Sequence, residues 1–162
     1  MVQDYMMRLI QQIAAMVAAL IKKKKLEDLP MVMMELEVAA MQHVGLGLHA
    51  AKDMTPQELD EYLNQSPGSR HLRGAMLAEL LIQDAAIEEL QGDPMRAMVD
   101  YTHAFCLLFD AMSVLPPEEQ RQYQQKMDDL ASRLKDQPHD PYVSPKLDAY
   151  LARRQSAGSA AP

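Results

Sequence analysis

The ten prolines constrain this chain more than any other feature, because most of them stand in front of a stretch whose apolar residues recur every three or four positions. Proline lacks the N–H that a helix interior or a strand ladder needs, but it is tolerated in the first turn of a helix, where that N–H would have no partner. Asp28-Leu29-Pro30, Thr55-Pro56, Asp93-Pro94, Pro116-Pro117 and Ser144-Pro145 therefore mark helix starts, and Ser66-Pro67-Gly68-Ser69 marks a break. Ala, Leu, Met, Gln and Glu dominate, while two Phe, no Trp and few β-branched residues would leave a sheet short of its usual side chains. The pattern predicts an all-α chain without strands: a helical bundle, or a short array of helical hairpins, of about six helices.

A first helix is expected from about Asp4 to Lys25, with Met6, Leu9, Ile10, Ile13, Met16, Val17, Leu20 and Ile21 in one arc and Arg8, Gln11, Ala15 and Ala18 on the opposite face. The helix opened by Pro30 should fade near Gly45 or Gly47 and carry Met33, Met34, Val38 and Met41 inward. Thr55-Pro56-Gln57-Glu58 has the form of a capping box, which starts a short helix through Tyr62 and Leu63. The next helix, about Arg70 to Gln91, is apolar nearly all round at Met76-Leu77-Ala78 and Leu80-Leu81-Ile82, which places it at the centre of the fold. Gly92-Asp93-Pro94 connects it to a helix ending around Leu115. The helix opened by Pro116-Pro117 has only a narrow apolar stripe, Tyr123, Met127, Leu130 and Leu134. Residues 1–137 thus read as a single helical domain. Residues 138–162 read as an irregular, extended tail with one short helix bearing Leu147, Tyr150 and Leu151, and with disorder from Ser156 to Pro162.

The run from Gly92 to Phe105 resembles the second helix of a tetratricopeptide repeat, with Gly-Asp at the turn followed by Ala97, Tyr101 and Ala104 at the spacing of that motif. The resemblance implies that the small residues let a paired helix approach and that the aromatic fills the space beyond. It covers one hairpin, the preceding helix matching at Leu81 and Ala85 while Asp84 and Glu88 stand where the motif prefers apolar groups. Gln3 to about Met112 also resembles a bacterial family of unknown function. The match rests on the opening Gln3-Asp4-Tyr5-Met6-Met7-Arg8-Leu9-Ile10, the Leu46-Gly47-Leu48 segment, the capped helix Thr55 to Leu63 and the hairpin. That resemblance implies a helical, repeat-like fold and assigns no activity, and the region after Pro116 lies outside it.

The net charge of −7 is unevenly spread. Residues 1–25 hold five bases and one acid, residues 26–110 four bases and fifteen acids, and the remainder seven of each. An acidic middle argues against nucleic acid, which needs a basic face. With Cys106 as the only cysteine an intramolecular disulfide is impossible, and a cytoplasmic location is expected. The apolar run from Ile13 to Ile21 precedes the Lys22 to Lys25 cluster, the reverse of a secretory signal, and falls well short of the ~20 residues that span a bilayer.

No Glu has a His three residues later, and His43, His49, His71, His103 and His139 include no pair four apart, so the helical spacing of metal ligands is missing and no cofactor is expected. Asp100 and His103 are three apart, but the wheel puts both on the polar side of their helix as a solvated pair. Neither a Ser or Cys beside a base nor a glycine-rich phosphate turn occurs, and Cys106 reads as a small buried hydrophobe. The fourth helix carries one anomaly: Arg73, Asp84 and Glu88 project within about 60° of Leu77, mixing polar groups into an apolar face. In a tetratricopeptide-like hairpin that face would line a groove able to hold a charged segment of a partner. At a bundle edge the same groups would be solvated or paired. The fourteen Met residues read first as core filling and second as an adaptable binding surface.

These observations point to a non-enzymatic helical scaffold that binds a protein or peptide, through the Arg73, Leu77, Asp84 and Glu88 face, or itself, through Arg8, Gln11, Ala15 and Ala18. Two alternatives stay open: a peripheral membrane-surface module that lays the first helix and Lys22 to Lys25 on anionic lipid, and an enzyme with an atypical carboxylate site.

Overall fold

The computed structural model describes residues 26–160 and, before them, positions 8, 11, 12, 14–16, 18, 19 and 22, all nine of which are helical. The chain is all-α, with no strand among the described residues. After one 3-10 turn at Leu26–Asp28 come α1 (Leu29–His43), α2 (Leu48–Asp53), α3 (Pro56–Leu63), α4 (Arg70–Leu90), α5 (Pro94–Met112), α6 (Pro117–Leu134) and α7 (Ser144–Ala160).

The local signals act where they stand. The Thr55 hydroxyl accepts from the Glu58 N–H while the Glu58 carboxylate accepts from the Thr55 N–H, so the capping box closes at the front of α3. Asp93 accepts from the Arg96 N–H at the front of α5. Gly45 and Gly92, both at φ 81°, take the left-handed conformation that ends α1 and α4 at little cost to a residue without Cβ.

The α4–α5 hairpin is the most extensive helix pair and forms the body of the fold. Ala97, Tyr101 and Ala104 on α5 are all buried, Ala104 completely. α1 lies on α4, α2 bridges α1 and the hairpin, α3 touches both hairpin helices, and α6 covers α5 with the stripe Tyr123, Met127, Leu130 and Leu134 inward. α4 is the central element: Gly74 to Leu81 form an unbroken buried run, as its all-round apolarity requires.

Three expectations are corrected. First, the segment beyond residue 137 is not an irregular tail. α7 runs seventeen residues, and Val143, Leu147 and Tyr150, spaced four and three apart, enter the core. The Tyr150 ring meets Phe105 edge-on at 6.0 Å, its hydroxyl donates to Asp128, and Arg154 forks onto the same carboxylate at 2.9 and 3.1 Å. Three buried side chains are a weak pattern in one dimension, and α7 is held by pairing with residues distant in sequence on α5 (Phe105, Asp110) and α6 (Asp128). Second, α1 turns Met34, Val38 and Met41 outward, leaves Met33 half-buried and buries Leu29, Val32, Leu36, Ala39 and Ala40 instead. The helix has two apolar stripes of equal periodicity, and the one with the small alanines lets its backbone come close to α4. Third, the six-residue helix α2 stands between the glycines where the preceding helix was expected to fade and the Thr55 capping box, a stretch for which the sequence suggested no element.

Of the first helix, Met16 packs against the core, while Arg8, Gln11, Ala15 and Ala18 are exposed. The rest of its expected apolar arc, Met6, Leu9, Ile10, Ile13, Val17, Leu20 and Ile21, lies outside the described residues.

Candidate functional site

The end of the molecule formed by α1, α2 and the hairpin combines buried charge with exposed apolar surface. It is assembled around α2, too short to be stable without tertiary help. Gly47 at its N-cap has no side chain to offer the first N–H groups, so Glu37 from α1 serves: its carboxylate accepts from Leu48 N–H at 2.7 Å and from His49 N–H at 3.3 Å. A Cβ at position 47 would collide with that carboxylate and displace it from the cap.

Lys52 stands in the last turn of α2. The Lys52 ammonium contacts the Asp84 carboxylate, lies 3.1 Å from Glu88 Oε1 and 3.6 Å from Asp100 Oδ2, and its side chain is 8% exposed. Arg96 approaches Glu88 at 4.0 Å from outside. Burial opposes the charge on Lys52, but the hydrogen bond to Asp84 and the charges of Asp100 and Asp84 outweigh it and raise its pKa. Asp100 is completely buried, and no donor reaches either of its oxygens at hydrogen-bonding distance. Burial first, then hydrogen bonding and repulsion from Asp84, push its pKa up to about 9, with Lys52 opposing; it therefore holds a proton at neutral pH. One turn on, His103 has Nδ1 2.7 Å from the Val99 carbonyl and Nε2 2.6 Å from the Met54 carbonyl, tying α5 to the residue that ends α2.

Asp100 and His103, expected as a solvated pair on the polar side of α5, are thus both buried. That side became interior because Lys52 and Met54 cover it, a long-range event that a helix wheel cannot represent. The Arg73, Leu77, Asp84 and Glu88 face is likewise covered by the chain's own α1 and α2. Arg73 Nε donates to the Val44 carbonyl at 2.8 Å and caps the end of α1, Leu77 has no exposed surface, and Asp84 and Glu88 hold Lys52. Sequence reasoning missed Lys52, although a signal was there: it is the one lysine between Leu26 and Gln125, in the acidic part of the chain. It also missed Glu79, fully buried on α4, whose carboxylate oxygens both lie 2.5 Å from the Lys126 ammonium.

Outside this cluster, α1 presents Met31 (66% exposed), Met34 (68%), Val38 (48%) and Met41 (56%) in a single row. Between that row and α2 lies a cleft of about 280 Å³. Pro30, Met33, Met34 and Leu48 line it with apolar surface, and Glu37, His49, Lys52 and Asp84 supply polar groups at its rim and floor. Met34 belongs to both the row and the cleft.

Among the described residues, no group of His, Cys, Asp and Glu side chains is placed to hold a metal ion, and no helix is long and apolar enough to cross a membrane. Cys106 is buried, and burial pushes its thiol up to about 12, which leaves it protonated and inert. Comparison with family models, with curated proteins and with solved structures finds no match.

Proposed function

We propose that this chain is a non-enzymatic helical scaffold that binds another protein by docking a helix along α1. The observation that carries the reading is the row Met31, Met34, Val38 and Met41. Its spacing of three, four and three is the a/d seam of a coiled coil, the narrow stripe a helix uses to pack on one other helix. Four large apolar side chains contiguous on an exposed face form the kind of patch that soluble proteins keep for recognition. Methionine suits the task because its unbranched thioether adapts to the shape of a partner.

The carboxyl groups behind the row speak for a scaffold over an acid–base enzyme. Asp84, Glu88 and Asp100 are turned onto Lys52 and almost wholly buried, an arrangement that fixes α2 against the hairpin. The hairpin, tetratricopeptide-like in its Ala97, Tyr101 and Ala104 spacing, serves as the rigid body on which α1 is mounted.

Peptide-display selection on the intact chain tests this reading, with Met34→Glu/Val38→Glu as counter-selection. Both substituted positions are exposed, so circular dichroism of the variant should match the parent. Recovered peptides should carry apolar residues at helical three-four spacing and lose binding to the variant. Selection of extended or proline-rich peptides, or of peptides indifferent to the variant, would overturn it.

A further inference from the structure

We infer that the helix received by α1 is basic, and that one of its lysine or arginine side chains enters the cleft between α1 and α2. The inference rests on the helix-docking reading and adds the chemistry of the partner. Three observations converge on it.

The first is the charge beside the seam. α1 contains no Lys or Arg, and Glu35 and Glu37 lie along it, in a section of chain where fifteen acids face four bases. Residues flanking an a/d seam set partner choice through charge, so acidic flanks select a helix with basic ones and weaken pairing with a second, equally acidic α1.

The second is the shape of the cleft. At about 280 Å³ it is smaller than the ~300–1,000 Å³ of ordinary small-molecule pockets, a size suited to one long side chain. Because Met34 forms part of both seam and cleft, a helix seated on the seam has a flanking residue directly over the opening. The walls Pro30, Met33 and Leu48 match the aliphatic stem of Lys or Arg, which packs on apolar surface while its head seeks charge.

The third is the floor. Asp84 lines the cleft; Lys52 and, at 4.0 Å from Glu88, Arg96 balance Asp84 and Glu88, and Asp100 is protonated, so the net negative charge at the cleft is that of Glu37. Glu37 adds a carboxylate at the rim. An incoming cation meets a net negative site, where a carboxylate would be repelled.

The test uses the intact chain and two synthetic helical peptides with identical leucines at three-four spacing, one flanked by lysines and the other by glutamates. Fluorescence anisotropy should give the lysine peptide at least ~10-fold tighter binding at low salt, a margin of about 1.4 kcal/mol. The margin should shrink toward ~1 M salt as the charges are screened. Glu35→Lys, at an exposed position, should narrow it by reversing a flanking charge, and Met34→Glu should abolish capture of either peptide. Equal affinity for the two peptides, lost in Met34→Glu, would overturn the basic partner and leave the docking reading standing. Failure of both peptides to bind would overturn both. Concentration-dependent dimers that Met34→Glu dissolves and that the lysine peptide cannot compete would assign the seam to a second copy and likewise overturn the inference.

Discussion

α1 and α4 reverse each other's use of polarity. α4 buries Glu79, Asp84 and Glu88, whereas α1, with a comparable apolar content, leaves Met31, Met34, Val38 and Met41 in solvent. The difference lies in what other elements bring. Each buried acid of α4 receives a cation from elsewhere, Lys52 of α2 for Asp84 and Glu88, Lys126 of α6 for Glu79. A buried charge is tolerated when paired and is costly alone. Among the described residues nothing comparable reaches the outer row of α1, whose inner stripe already satisfies α4. Helix periodicity therefore says which residues share a face, while pairing partners decide whether that face is inside.

The sharpest way to break this contrast is to remove the cation from the acidic side. Lys52→Met strands Asp84 and Glu88 in the interior and should cost ~3–5 kcal/mol, read as a lowered chemical-denaturation midpoint. A loss within the ~0.5 kcal/mol of an ordinary surface change would mean that the carboxylates are not held in by Lys52.

The hairpin that supports both helices offers the next test. Ala104 is completely buried on α5, so Ala104→Leu should overpack the helix contact and cost ~1–3 kcal/mol. An unshifted melting midpoint would show that the close approach of α4 and α5 does not depend on a small residue there.

A pH-dependent effect follows from the proton on Asp100. Its pKa is about 9 in the folded chain against an ordinary 3.8, so the folded state binds a proton that the unfolded state has released throughout the intervening range. The unfolded state then carries fewer protons, and stability falls as pH rises from about 4 toward 9, levelling off above the folded value. Melting curves across this window should slope downward more steeply for the parent than for Asp100→Asn, which has no proton to lose. Parallel slopes would remove Asp100 from the titrating groups.

The least change is expected on the exposed side. Met34→Ala should alter stability by no more than ~0.5 kcal/mol, against ~2–5 kcal/mol for Leu36→Ala two residues on, where the side chain is completely buried. Similar losses at the two positions would mean that the outer row is covered.

Much of the helical framework was legible in one dimension because its signals are local. The Thr55 capping box, the Asp93 cap, the glycine at 92 and the prolines before α3, α5 and α6 act within four residues of where they stand. The narrow stripe of α6 was also readable, since a helix with one apolar face has only one way to turn it. The candidate site was far less so. Asp84 and Glu88 stood out as polar groups on an apolar face, but their partner Lys52 lies more than thirty residues away in sequence, on a helix with no clear start signal.

By itself, then, the sequence determined that this chain is helical, where most of its helices begin, and which residues line each face, because these follow from φ restrictions, capping and a fixed turn of about 3.6 residues. Only tertiary structure decided which stripe of α1 faces α4, that Lys52 sits among Asp84, Glu88 and Asp100, and that α7 docks through Tyr150 and Arg154 onto Asp128. Each of those outcomes depends on a charge or a close approach supplied by a distant element, and the energy of burying a group is set by that neighbour as much as by the group itself.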